Sequence, residues 1–334
     1  MLDPDFSFDA DVLPEEIPAE LARLIGILRL RRTDGGKAEA LMIDKLIKTL
    51  PHVKVDKAGN YAVRIPKADG TASRVLWSCH TDTVHRTDGV QSLTYCKDNG
   101  VINVSDGECL GADDGAGLWL LLEMIDAKVP GLYVFHRNEE HGCVGSRYRA
   151  ANLAHTLTNI KYAVAFDRKG TTSVITHQYG RTCSDAFAKS MIGMLDMEHR
   201  LDPTGMFTDT KSYAEIIPEC TNISIGYENA HSANEYLDTT YLLALRDSIL
   251  TNFDEDLLVC ERDPKSFKPE KPVKKIKYKY EPRYMERLIR CNADLVTDLL
   301  ESWGWDGPSL LDTLEASGKA VIVPRDLPGY YAQG

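Results

Sequence analysis

Apolar and polar residues change period several times along this chain, and the changes divide it into elements. Between 18 and 50, Leu21, Leu24, Ile25 and Leu28, then Leu41, Ile43, Leu46 and Ile47, recur at helical spacing. Asp34-Gly35-Gly36 stands between the two groups, so two helices are expected, broken around 33–36. VKVDKAGNYAVRIP alternates about Gly59 and Asn60, and SLTYCKDNGVINV about Asn99-Gly100. Each reads as a β-hairpin. The short apolar runs in RVLWSCHTDTV, GLYVFHR, YAVAF and NISIGY read as strands, and 114–126, 144–153, 184–195 and 239–253 as helices. Alternating strands and helices predict an α/β fold with a mostly parallel central sheet and helices on both faces.

After about residue 261 the pattern changes. RDPKSFKPEKPVKKIKYKYEP is rich in lysine and proline, and RYMERLIRCNADLVTDLLESWGWDG returns to helical spacing. Three regions are expected: a catalytic-size domain over 1–260, a solvated linker over 261–283 and a small helical appendage over 284–334. The linker could alternatively serve as a partner-binding arm.

Composition narrows the function classes. The formal net charge of -11 argues against nucleic-acid binding and against an anionic membrane surface, both of which recruit basic faces. No run approaches the ~18 apolar residues of a membrane span, and the acidic start MLDPDFSFDADVLPEE lacks the features of a signal peptide. Eight scattered cysteines contain no CxxC pair, and a cytoplasmic location is the expectation.

The candidate chemistry sits at the ends of the expected strands, where open α/β sheets form their crevices. His80 and Asp82 lie two apart in SCHTDTV, so they share a side of an extended chain. Asp113 and Asp114 lie among small residues in LGADDGAG at the start of a helix. One of them could be a helix cap, and the other is left over for a cation. Glu139 and Glu140 adjoin in NEEHGCVGS, where two buried carboxylates would repel each other unless positive charge stood near. One could hold a metal while the other moves a proton. Asp167 in AFDRKG and His231 in ENAHSANE complete the series.

In this order the five segments resemble the co-catalytic zinc exopeptidases, the superfamily of zinc aminopeptidases, di- and tripeptidases and glutamate carboxypeptidases. The matching stretch covers roughly 75–240. The resemblance implies two zinc ions, with cobalt or manganese as possible substitutes, bridged by Asp113. His80 and Asp167 would complete one site, Glu140 and His231 the other. Glu139 would be general base and acid toward a metal-bridging water, Asp82 would orient His80, and the Asp113-Asp114 peptide bond is commonly cis in that superfamily. Only 64 positions separate Asp167 from His231 and 33 separate His80 from Asp113, which leaves no room for an inserted lid or β-domain. The single-domain aminopeptidase-like form is therefore expected, acting on a peptide next to a free terminus. A carboxypeptidase, a deacylase of N-acyl amino acids, and a non-catalytic binding protein on the same fold are the alternatives. Oligomeric state is not legible.

Overall fold

The structure, a computed structural model, describes residues 17–105 and 108–268. The expected appendage and residues 269–283 of the expected linker lie outside them.

The N-terminal helical pair is α1 (Ala22–Leu28) and α2 (Lys37–Met42), with the two-residue strand β1 (Leu30–Arg31) between them and a π-helical turn over Ile43–Ile47 after them. The expected first hairpin is β2 (Lys54–Val55) with β3 (Tyr61–Ile65). Then follow β4 (Val75–His80), β5 (Gly89–Val90), which pairs with β1, and the second hairpin, β6 (Leu93–Cys96) with β7 (Val101–Val104). The alternating part runs α3 (Ala112–Asp126), β8 (Gly131–His136), α4 (Val144–Asn152), β9 (Tyr162–Arg168), β10 (Ser173–Ile175), α5 (Asp185–Leu195), β11 (Arg200–Asp202) and β12 (Glu219–Ser224). Two short strands, β13 (Tyr227–Glu228) and β14 (Tyr236–Asp238), precede the closing helix α6 (Thr239–Asn252).

Eight strands form the main sheet in the order β11-β10-β12-β9-β4-β8-β3-β2. Its centre, β12-β9-β4-β8, is parallel, and the β2-β3 hairpin adds antiparallel strands at one edge. At the other edge β10 runs antiparallel to β12 and parallel to β11. The central strands are buried on both faces, which accounts for the largely apolar runs of β4 and β8; β12, ECTNIS, is equally buried although most of its residues are polar.

Alternation along each strand divides the core in two. Val75, Trp77 and Cys79 of β4 face one cluster; Leu76 faces the other. On the first face α3 lies against β4 and β9, with α1 and α6 against it. Its run Leu118–Leu122 is apolar all round because sheet and helices enclose it. On the second face α4 packs with the turn at Asp209–Tyr213, over Leu76, Leu132 and Ala163. Everything between Asp167 and His231 belongs to this layered body, so no lid interrupts it.

One expected boundary moves. Residues 261–268 belong to the packed body and not to a solvated linker. Arg262 is buried, and its guanidinium donates to the carbonyls of Ala214, Ile217 and Pro218. The backbone N–H groups of Glu261 and Arg262 both donate to Oε1 of the buried Glu219, at 2.8 and 2.9 Å. Phe267 packs against the second cluster. The Asp-Pro-Lys composition hid this, because the anchoring groups are a backbone pair and one arginine.

Candidate metal centre

His80 is the last residue of β4, Asp167 lies at the end of β9, and Glu139 and Glu140 follow β8. These three strands are parallel neighbours, so their carboxyl ends share one rim of the sheet. His231 comes from the loop between β13 and β14, which the second hairpin joins through β7 into a four-stranded antiparallel sheet. Asp113 opens α3, and its peptide bond to Asp114 is cis.

The structure brings all seven expected residues together. Oδ1 of Asp113 lies 3.1 Å from Nε2 of His80, and its Oδ2 lies 3.3 Å from Nε2 of His231. The same His80 nitrogen is 3.9 Å from Oδ1 of Asp167, and the same His231 nitrogen is 3.0 Å from Oε1 of Glu140. One carboxylate thus stands between two histidine–carboxylate pairs. Asp113, Glu140 and His231 offer ligand atoms within 4.8 Å of one another.

Asp82 does more than the sequence suggested. Nδ1 of His80 lies 3.0 Å from the carbonyl oxygen of Asp82 and 3.6 Å from its Oδ1. The two carboxylate oxygens accept the backbone N–H groups of Glu139 (3.1 Å) and Glu140 (3.2 Å). One buried residue therefore sets both, the histidine ring through its backbone carbonyl and the glutamate pair through its carboxylate.

Asp114 also lies within ligand distance of His80 and Asp167, but its oxygens are already used. Oδ1 accepts from the N–H of Gly117 (3.1 Å) and Oδ2 from the N–H of His80 (3.2 Å). It has the bonding of a helix cap. His136, beside the glutamate pair in sequence, is buried behind it and bonds Tyr213 and Ser78.

Electrostatics test whether these donors fit cations. Burial pushes the Glu139 carboxyl up to about 8, with Asp209 and Glu140 adding to the rise and His80 opposing it. Burial also raises Glu140, Asp114 and Asp167, and the charge of Asp113 adds to each. Asp113 itself is held below the usual carboxylate range: burial would raise it, but the bonds from His231 and His80 outweigh that. The His231 imidazole is pushed up to about 11 by Asp113 and then Glu140. So many carboxyls can be ionised together at neutral pH only beside strong positive charge. Oε1 of Glu140 is buried and, although near His231, has no hydrogen bond of good geometry. An imidazole and carboxylate donor set of this kind suits zinc, cobalt or manganese.

Several supporting residues were not found from sequence. Asn222 bonds the backbone of Asp167 on both sides, Oγ1 of Thr208 donates to its Oδ2 (2.6 Å), and the Tyr227 hydroxyl donates to its Oδ1 (3.3 Å). Glu235 accepts the N–H groups of Gly111 and Asp113. Buried Arg32 donates to the carbonyls of Ile27, Thr81 and Gly111. None of these stands at a telling spacing. Glu235 does lie in the ENAHSANE segment, where its nearness to His231 was the one available signal.

The site opens into a cleft of about 310 Å³ walled by Asp113, Glu140, Asp167, Arg168, Lys169 and Phe207, among others. Residues 60–204, which hold four of the five expected ligands, match the model of Peptidase family M28. The match spans under half of the chain; together with this fold it supports the resemblance to the co-catalytic metallo-exopeptidases and the expectation of a metal-dependent peptidase.

Among solved structures, it is similar to the aminopeptidase PepT from Bacillus cereus (14% identity, 69% of this chain and 96% of that one, TM-score 0.57). A tripeptidase from Staphylococcus aureus gives 14% identity, the same coverages and a TM-score of 0.55. The TET1 peptidase of Pyrococcus horikoshii gives 16%, 70% and 99%, and 0.53. At these identities the likeness concerns the fold. No curated protein matches by sequence. Among the described residues, no helix is long and apolar enough to cross a membrane.

Proposed function

We infer that this protein is a two-zinc exopeptidase that cleaves an amide bond next to a free terminus, and specifically an aminopeptidase. The observation that carries the reading is Asp113, whose two oxygens each face a different histidine. A carboxylate so placed can serve two cations at once. His80 and Asp167 would complete one set of ligands, and Glu140 and His231 the other. When bound, the ions would supply Lewis acidity and a water of lowered pKa.

The chain's own residues account for the rest. Glu139 is the carboxylate left without a ligand role, and its buried carboxyl favours taking up a proton. It would accept a proton from the attacking water and return it to the leaving amine. Asp82 would hold His80 with Nε2 outward, and through the backbone N–H of Glu139 would hold the base at a fixed distance. The buried floor around His80 and Asp114 limits competing water.

The test compares peptides with free and blocked ends, using protein loaded with zinc, cobalt or manganese. Hydrolysis that requires a free α-amine supports an aminopeptidase. Hydrolysis that tolerates N-acylation and requires a free carboxylate points instead to a carboxypeptidase or a deacylase. Glu139→Gln should retain metal and lose turnover by several orders of magnitude. Near-normal rates in that variant would remove Glu139 as the base.

A further inference from the structure

The cleft holds two cationic side chains that the reaction does not use. Arg168 and Lys169 directly follow Asp167, and both line the same space as Asp113, Glu140 and His231. In a chain of net charge -11, two adjacent cations at the metal rim call for a physical reason.

Their surroundings neutralise them only in part. Arg168 forms one ion pair, Nη2 to Oδ2 of Asp202 at 3.4 Å, and reaches Oγ1 of Thr204 at 3.3 Å. Its Nε is buried with no hydrogen-bond partner. Lys169 is exposed and makes no ion pair among the described residues. The carboxylates of the floor are engaged with the histidines, and would be engaged with cations once these are bound. Apart from the base Glu139, what remains to meet a substrate is positive charge from Arg168 and Lys169, beside apolar Ile175, Phe207 and Ala230.

Size points the same way. About 310 Å³ is at the small end for small-molecule sites, which run to about 1,000 Å³. Such a cleft suits one or two residues of substrate better than a long chain.

Resting on the peptidase reading above, we propose that the substrate is a short peptide bearing a carboxylate close to the scissile amide, bound by Arg168 and Lys169. Arginine and lysine hold a carboxylate in different ways: the planar guanidinium can bind both oxygens, and the ammonium acts as a point charge. The carboxylate has two possible sources, the C-terminus of a dipeptide or tripeptide and an acidic side chain next to the cut bond.

Two substrate pairs separate the sources on the zinc-loaded protein. The first is leucyl-alanine against its C-terminal amide; the second is glutamyl-alanine amide against glutaminyl-alanine amide. The expectation is a preference of about tenfold or more in kcat/KM for the acid in at least one pair. Lys169→Ala, at an exposed position, and Arg168→Met should each shrink that ratio severalfold, mainly through KM.

Calorimetry on zinc-loaded Glu139→Gln gives a readout free of turnover, in which the favoured acid should bind about tenfold more tightly than its amide. Ratios near one in both pairs, with the peptides still hydrolysed, would overturn the proposal and leave the peptidase reading intact. No hydrolysis of any peptide by metal-loaded protein would overturn both. A clear preference that survives both substitutions would remove Arg168 and Lys169 as its source.

Discussion

Asp167 and Asn222 are joined by two hydrogen bonds of equal length. The Asp167 N–H donates to Oδ1 of Asn222 at 2.8 Å, and Nδ2 of Asn222 donates to the Asp167 carbonyl oxygen at 2.8 Å. The amide thus fixes the backbone of an expected ligand from the neighbouring strand. Asn222→Ala should leave the Asp167 N–H without its partner, while the carbonyl keeps the Tyr227 hydroxyl at 3.1 Å, and cost about 1–3 kcal/mol of stability. It should also weaken metal binding by about 10–100-fold, since groups that orient ligands carry effects of that size. Denaturant melts and competition with a chelator measure the two effects separately. An unchanged metal affinity would show that Asp167 does not depend on this clamp.

Asp113 should be distinguishable from the other ligands by metal stoichiometry. Asp113→Ala removes a group shared by both histidine–carboxylate pairs, so its metal content should drop toward zero. His231→Ala should leave the His80 side intact and keep about one ion of the two. Elemental analysis after gentle dialysis reads both. Equal losses in the two variants would contradict a bridging carboxylate.

Gly117→Ala should be damaging although no functional group is removed. An added Cβ would lie 2.2 Å from Oδ1 of Asp114 and 2.5 Å from the carbonyl oxygen of Phe166. The displaced Asp114 holds the His80 backbone, and Phe166 immediately precedes Asp167. A cost of about 1–3 kcal/mol is expected, with activity falling further than stability alone explains. Full activity at a temperature where the variant is still folded would contradict that coupling.

Acid should destabilise the fold partly through His85, which is not among the expected metal ligands. Burial and then the charge of Arg32 lower its imidazole from 6.5 to about 4. It is enclosed by Thr83, Gln91 and the carbonyl of Cys109. The native state keeps the ring neutral, whereas the unfolded chain protonates it below about 6.5. Its contribution is therefore present above pH 6.5 and lost as pH falls toward 4, amounting to about 2 kcal/mol at pH 5. Urea melts at pH 7 and pH 5 should show a smaller difference in His85→Gln than in the parent. An equal difference in both would assign the acid sensitivity to other groups.

The central strands and the order of the site were legible in sequence because each rests on a local signal. Val75–Cys79 is a largely apolar run leading into His-Thr-Asp, and GADDGAG and NEEHG are contiguous. The edge strand β11, its neighbour β10 and the short β13 and β14 were not legible, being two or three residues each. Their pairing is decided by neighbours far away in sequence. Asn222, Thr208 and Tyr227 escaped for a related reason: each is an ordinary polar residue until the fold brings it to Asp167. Asp82 was legible as a partner of His80 but not as the acceptor for two backbone amides, since that requires the β8 loop to fold over it.

Glu219 carries a consequence for where this body can be cut. Its carboxylate accepts from the N–H and hydroxyl of Ser184 at the head of α5, and from the N–H groups of Glu261 and Arg262. It works as a buckle between a central strand, a covering helix and the outgoing chain. Trimming at the end of α6 would leave that carboxylate buried with half its donors gone. It would also strip Arg262 from the three carbonyls it holds. The smallest piece that keeps this seam closed runs through Phe267, past the point where the last long helix stops.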